Sequence, residues 1–304
     1  MSPLEFESPD MVSDIDSVLK RRGLRPVGYG NEKDVIYPLG VDSQIVTRLG
    51  MFEYQCVFHG KHPRDHFVDH FERASFRKLI RLLLREQNES IPITKLGETG
   101  GASVLSDLEF LENILVIERR GDPIVLLRRV DNIGQTFEYC VSRMCVHDLR
   151  GSAKWGVKID NLPRTGGDYD VLAWLDPCLV YIECKTSQPD QITESQLRQF
   201  FQRSVELAPE LAILLFDSES SLDMVLRRME RMIMDQSLGA SHPTHHTFHH
   251  PDVYKGIAFG FNRVFVTNTK HGILPQLRKC LQYYHAYAKG FPILDTSSAN
   301  FPQK

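Results

Sequence analysis

The sequence lacks the features that mark membrane proteins, secreted proteins and zinc ribbons. Its 304 residues contain no run of about 18 apolar residues, and the acidic first residues lack the apolar core of a signal peptide. No two of the six cysteines have the C-x-x-C spacing of a zinc ribbon. We therefore expect a cytoplasmic protein without a membrane span, whose cysteines are reduced and mostly buried.

A strong net charge of either sign is also missing. Lys and Arg number 36 against 39 Asp and Glu, which gives a formal net charge of −3. Any surface that binds nucleic acid therefore has to be a local basic patch. The composition, with 42% hydrophobic and 25% charged residues, is that of an ordinary folded protein, and the length predicts more than one domain.

Residues 67–130 have the helix and strand order of a winged helix-turn-helix. Amphipathic helices are predicted at 76–85 and 103–113, with a short segment at 93–96 between them and a hairpin over 114–120 and 124–130 after them. Such a module places a helix in the major groove of DNA, and four arginines could contact phosphates: Arg119, Arg120, Arg128 and Arg129. Alternatively the module docks onto a protein, and the arginines only keep the hairpin soluble.

The flanking regions complete a prediction of three segments. Residues 1–66 form a small mixed segment with β-like pieces at 34–39, 43–49 and 52–58. Residues 131–304 alternate helices with short apolar strands, which predicts an α/β fold with a mixed sheet covered on both faces. Its helices are expected at 134–149, 193–207, 221–236 and 274–289, and its strands at 155–159, 169–175, 178–185, 211–216 and near 257–267.

Three charged residues stand on two of these apolar strands. Glu183 and Lys185 are two positions apart and project from one strand face, and a short turn brings Asp170 of the preceding strand near them. Charges on buried strands are rare unless they are paired or bind a metal. Carboxylates, phosphate and water are ligands of Mg²⁺, and a lysine beside them can orient or deprotonate water or stabilise the phosphate. Asp168 is the alternative to Asp170, and a plain strand-end ion pair is the simplest other interpretation.

Asp170 followed by Glu183-Cys184-Lys185 resembles the D…(D/E)-x-K signature of the PD-(D/E)xK nuclease superfamily, which includes restriction-type enzymes and Holliday-junction resolvases. The glycine-rich residues before Asp170 are similar to those of the family, with Tyr169 in place of its proline. The resemblance covers residues 131–216 and extends more loosely to residue 290.

Two further residues match the family on neighbouring helices. Glu138 corresponds to a glutamate that members carry on the helix before the hairpin. Gln196 begins a Gln-x-x-x-Tyr-like pattern on the following helix, with Phe200 in place of tyrosine. The resemblance thus implies that Asp170, Glu183 and Glu138 bind the metal and that Lys185 and Gln196 assist catalysis.

The resemblance implies a restriction-endonuclease-like fold and a Mg²⁺-dependent endodeoxyribonuclease, with Mn²⁺ as a substitute metal. A winged-helix-like module before such a domain is similar to Mrr-type restriction enzymes, which implies double-stranded DNA as the substrate and a role in restriction, defence or DNA repair. Cutting a duplex needs two active sites, so a homodimer is expected. A non-catalytic DNA-binding or regulatory protein on a nuclease-like scaffold, and a ribonuclease, remain alternatives.

One further cluster stands apart from this pattern, in the segment that contains His242, His245, His246, His249 and His250. Imidazoles can bind zinc or copper. No cysteine or carboxylate stands nearby at ligand spacing, so we interpret the segment as a solvated loop.

Overall fold

A large mixed sheet with helices on both faces dominates the computed structural model. The structure describes residues 14–37, 42–59, 61–87, 90–94, 96, 103–119, 121–162, 167–237, 257–260 and 263–288. Within these ranges the large sheet has seven strands and a second sheet has three. None of the helices in these ranges combines the length and the apolar character that a membrane crossing requires.

The first part of the chain is mainly helical, and its elements are α1 (Ile15–Arg21), β1 (Pro26–Gly28), α2 (Asp42–Leu49), α3 (Met51–Phe58), α4 (Pro63–Glu72) and α5 (Ala74–Arg85). The prediction of β-like pieces at 43–49 and 52–58 is wrong, because α2 and α3 occupy these positions. Ile45 and Phe58 pack into the core from these helices. Tertiary packing therefore overrides the strand propensity of the branched and aromatic residues here.

A three-stranded sheet follows, built from β2 (Ile91–Pro92), β3 (Ile117–Arg119) and β4 (Pro123–Leu126), with helix α6 (Val104–Asn113) between β2 and β3. The strand order is β2-β4-β3, and both pairings are antiparallel. The predicted amphipathic helices and the hairpin are thus present at their expected positions.

The second part follows the predicted alternation, with α7 (Gly134–His147), β5 (Ser152–Ile159), β6 (Tyr169–Leu175), β7 (Cys178–Lys185), α8 (Glu194–Leu207), β8 (Leu211–Phe216), α9 (Asp223–Ser237), β9 (Ile257–Gly260), β10 (Val264–Asn268) and α10 (Ile273–Tyr283). The region near 257–267 forms an antiparallel pair, β9 and β10, instead of one strand. The strand order is β1-β5-β6-β7-β8-β10-β9, and β7, β8 and β10 run parallel.

The strands at the centre of this sheet are buried on both faces. Val171 and Val180 contribute to the core on the side of α7, whereas Leu172 and Leu214 contribute to the core on the side of α8 and α9. Strands covered on both faces are uniformly apolar, as β8 is. The α/β fold with helices on both faces is therefore confirmed.

The helical first part and the large sheet share a core. Residues of α4, α5 and α6 belong to the same apolar cluster as residues of β6, β7 and β8. Strand β1 pairs with β5, so part of the segment predicted as separate belongs to the large sheet. Arg77 of α5 also reaches Asp217, just after β8, with 2.7 Å between Nε and Oδ1. These contacts hold α5 against the edge of the sheet where β7 and β8 end.

Candidate active site

The β6–β7 hairpin places the two predicted strand carboxylates at the same end of the sheet. Val171 pairs with Ile182 at the end of the antiparallel ladder, so Asp170 and Glu183 occupy the next positions. Side chains at opposite positions of an antiparallel pair lie on the same face. Here the carboxylate of Asp170 accepts a hydrogen bond from the backbone N–H of Cys184, with 2.7 Å between Oδ2 and N. Asp170 thereby satisfies a β7 amide beyond the ladder.

Glu183 is the most enclosed acidic group of this cluster, with 3% of its surface exposed. Its Oε1 lies 2.6 Å from the Nζ of Lys185, and its Oε2 lies 3.3 Å from Nη1 of Arg203. The hydroxyl of Tyr181 also donates to Oε2. Both carboxylate oxygens are therefore bound by donors, and two of these donors are cationic.

Glu138 reaches the cluster from helix α7. Burial, followed by the charges of Asp170 and Glu183, raises the pKa of Glu138 to about 9. Among the residues that the structure describes, none forms a hydrogen bond or ion pair with its carboxyl. Within the described part of the chain, Glu138 is thus a half-buried carboxyl without a hydrogen-bond or ion-pair partner, near the acidic groups of Asp170 and Glu183.

The electrostatics of Asp170 and Lys185 show how closely these groups interact. Burial and then the charge of Glu183 raise the pKa of Asp170 to about 7. Burial lowers the pKa of Lys185, but the charges of Glu183 and Asp170 outweigh it, so the net shift is upward. The lysine therefore keeps its proton at neutral pH in this arrangement.

These residues fit a divalent cation in their chemistry. Three carboxyl groups stand against the two cations Lys185 and Arg203, and hard oxygen donors of this kind suit Mg²⁺. Glu138, Asp170 and Glu183 are the residues that would hold the ion. Within the described ranges, no group of three or more His, Cys, Asp or Glu side chains already has the geometry of a metal site. Glu183 would have to exchange one of its present donors.

Two candidate residues lie outside this cluster. The side chain of Asp168 is 44% exposed and lies 3.8 Å from Lys158, so Asp170 is the aspartate at the centre of the site. Gln196 is exposed, and its side chain accepts a 2.9 Å hydrogen bond from the backbone N–H of Thr193 at the start of α8. Gln196 is a capping residue in this structure. The residue of α8 that lies in the site is Arg203, beside Glu183.

The sequence interpretation missed Tyr181 and Arg203, although a signal was available for both. Arg203 lies on the inward stripe of α8 with Phe200 and Leu207, where an arginine is unexpected without a buried partner. Tyr181 precedes Glu183 by two positions on one strand, so the two side chains share a face.

The four hairpin arginines have different surroundings. Arg119 Nε lies 3.1 Å from a carboxylate oxygen of Glu112, and Arg128 donates to the carbonyl of Glu32. Arg129 is exposed. Arg120 and the segment from His242 to His250 lie outside the described residues.

Helix α6 carries no basic residue. Leu105, Ser106 and Glu109 are exposed on it, and Leu105 keeps 62% of its surface accessible. Glu112 adds a further carboxylate, which Arg48 and Arg119 neutralise. This face of the helix therefore offers a DNA phosphate no cationic side chain of its own, contrary to what the winged-helix order leads one to expect of a groove-reading helix.

Comparison with known proteins identified no relative of this chain. The chain matches no family model, no curated protein and no solved structure. Functional inference therefore depends on the geometry and charge of the cluster formed by Glu138, Asp170, Glu183 and Lys185.

Proposed function

We propose that the protein is a Mg²⁺-dependent nuclease that hydrolyses phosphodiester bonds of double-stranded DNA. The main support is that Asp170, Glu183 and Lys185 meet at one end of the β6–β7 hairpin beside Glu138, a half-buried carboxyl without a hydrogen bond or ion pair among the described residues. Such a group needs either a proton or a cation. A carboxylate set with an adjacent lysine suits the cleavage of a phosphodiester.

Each residue has a role in this proposal. Glu138, Asp170 and Glu183 bind Mg²⁺, which when bound lowers the pKa of a coordinated water and neutralises charge on the phosphate. The Cys184 amide fixes the orientation of the Asp170 carboxylate. Lys185, whose Nζ lies 2.6 Å from Glu183, would orient or deprotonate the attacking water or stabilise negative charge on the phosphate.

The first part of the chain supports DNA binding by its topology. Helix α5, strand β2, helix α6 and the β3–β4 hairpin follow the order of a winged helix, and the sheet order β2-β4-β3 agrees with it. Because α6 has no basic side chain, we assign the phosphate contacts to the hairpin, and to Arg129 in particular.

Cleavage of supercoiled plasmid DNA tests the proposal. Wild-type protein with Mg²⁺ should nick or linearise the plasmid, whereas D170A and K185A should lose nearly all activity. D160N, which alters an exposed aspartate at the end of β5, is the matched control and should cleave normally. D168N should also keep most of the activity. Equal cleavage by wild type, D170A and K185A would falsify the assignment.

The same preparations separate the two rival functions. Faster cleavage of RNA than of duplex DNA, with the same dependence on Asp170, would favour a ribonuclease. DNA binding without cleavage, and without Mg²⁺ binding that depends on Asp170 and Glu183, would favour a non-catalytic protein. Sedimentation with and without DNA tests the homodimer that duplex cutting requires.

A further inference from the structure

Arg203 is the least exposed cation of the candidate site. Its side chain keeps 7% of its surface accessible, against 19% for Lys185. Besides Glu183, it contacts the face of Tyr169, with 5.8 Å between the guanidinium carbon and the ring centroid. It is therefore held by an anion and by an aromatic face, which together offset the cost of burying its charge.

Gly167, two residues before β6, has a role in this arrangement. Gly167 has a φ of +79°, and a Cβ built there would lie 2.6 Å from Nη2 of Arg203. A side chain at this position would therefore collide with the guanidinium as well as strain the backbone. Gly167 thus leaves room for the guanidinium of Arg203.

The two cations divide the oxygens of Glu183 between them. Lys185 binds Oε1, whereas Arg203 and Tyr181 bind Oε2. An arginine is permanently charged and rigid at its guanidinium, whereas a lysine is a point charge on a flexible chain. If Lys185 turns away from Glu183, the carboxylate is still paired through Arg203.

We propose that Arg203 is a positioning residue of this site, which holds Glu183 in place and frees Lys185 to act on the substrate. This inference rests on the proposed nuclease function. Without Arg203, Lys185 is the remaining cationic partner of Glu183 in the described site, and the lysine becomes committed to that ion pair. Arg203 acts through Glu183 and is not assigned a contact with DNA.

The test compares R203M, R203K and the control R198M, which alters an exposed arginine on the same helix. Plasmid cleavage gives kcat and KM, calorimetry gives the Mg²⁺ affinity without DNA, and thermal melting checks folding. For R203M we expect kcat and Mg²⁺ affinity to fall by roughly 10- to 100-fold, with an unchanged KM. R203K should recover part of both losses, and R198M should match the wild type.

The outcomes separate this inference from the proposed function. A wild-type protein that neither cleaves DNA nor binds Mg²⁺ through Asp170 would overturn the function itself. An active wild type together with an R203M variant equal to R198M in kcat and Mg²⁺ affinity would overturn only the positioning role. A raised KM with unchanged kcat would make Arg203 a substrate contact and would also overturn it. If R203M does not fold, R203Q provides the same comparison, and wild-type values in R203Q would count against the proposal.

Discussion

The backbone N–H of Asp217 donates a 2.7 Å hydrogen bond to the carbonyl of Lys185, and the carboxylate of Asp217 forms an ion pair with Arg77. The proposed catalytic lysine is therefore anchored to the residue through which helix α5 contacts the sheet. Arg81 adds a second ion pair to the same carboxylate. The position of Lys185 thus depends on the helical part of the chain.

Loss of Arg77 should destabilise the protein strongly. The side chains of Arg77 and Asp217 are 1% and 3% exposed, so R77M leaves the buried Asp217 carboxylate with one ion-pair partner fewer. We expect a loss of about 3 kcal/mol in the free energy of unfolding, measured with urea. K78M breaks only the exposed pair with Glu219 and should cost less than about 1 kcal/mol. Similar stabilities for R77M and K78M would contradict the role of this ion pair.

Two substitutions at Asp170 should separate folding from catalysis. D170A leaves the Cys184 amide without its acceptor, whereas D170N keeps an acceptor oxygen and removes the charge. We expect D170A to be less stable than D170N by about 1–3 kcal/mol, and both to be inactive on plasmid DNA. Equal unfolding free energies for the two variants in EDTA would show that the hydrogen bond contributes little.

Neutralising Glu138 should have opposite effects on stability and on metal binding. In EDTA at pH 8, E138Q should be more stable than the wild type by about 1–3 kcal/mol, because at this pH, below its folded pKa of about 9, Glu138 holds a proton that the unfolded chain releases. Added Mg²⁺ should raise the melting temperature of the wild type more than that of E138Q. An equal rise in both proteins would exclude Glu138 as a ligand.

Asp107 should make the stability sensitive to acid. Its burial raises its pKa, but hydrogen bonds from His70 and Arg73 outweigh this, and the net pKa lies below the ordinary 3.8. The folded state therefore binds fewer protons, so the stabilisation is complete above that value and is lost as the pH falls below it. We expect D107N to cost about 1.5–3 kcal/mol at pH 7 and less at pH 3. E109Q, on the exposed side of the same helix, is the control; a D107N deficit that does not shrink in acid would refute the assignment.

DNA binding should depend unequally on the hairpin arginines. R129A should weaken binding to a labelled duplex and reduce the slope of log affinity against log salt by about 1, measured by anisotropy in EDTA. R119A and R128A should change the slope little, because Glu112 and the Glu32 carbonyl already engage these side chains. A larger effect of R119A than of R129A would argue against phosphate contact at Arg129.

The sequence predicted the strands that carry the site because their pattern is local. A short turn followed by the apolar run 178–185 predicts a hairpin, which brings Asp170 alongside this run. Glu183 and Lys185 stand two positions apart on it and share a face. Glu138 was found through the family resemblance alone, since nothing local in α7 distinguishes it. Its proximity to Asp170 depends on how α7 packs on the sheet.

Other features could not be predicted because they depend on distant contacts. Helices α2 and α3 have the residue types of strands, and only packing into the core decides their form. The engagement of Arg119 by Glu112 and the capping role of Gln196 depend on which polar partner lies nearest after folding. A residue type alone therefore did not distinguish a phosphate ligand from a structural ion pair.

The core that the helical part shares with the large sheet bears on how the molecule can be divided. A fragment that begins at residue 131 retains Asp217 but loses Arg77 and Arg81, and it exposes the apolar surface on which α4 and α5 pack. Such a fragment should aggregate or unfold, so catalysis has to be measured on the whole chain. A protein built in this way cannot exchange its helical part for another by simple fusion.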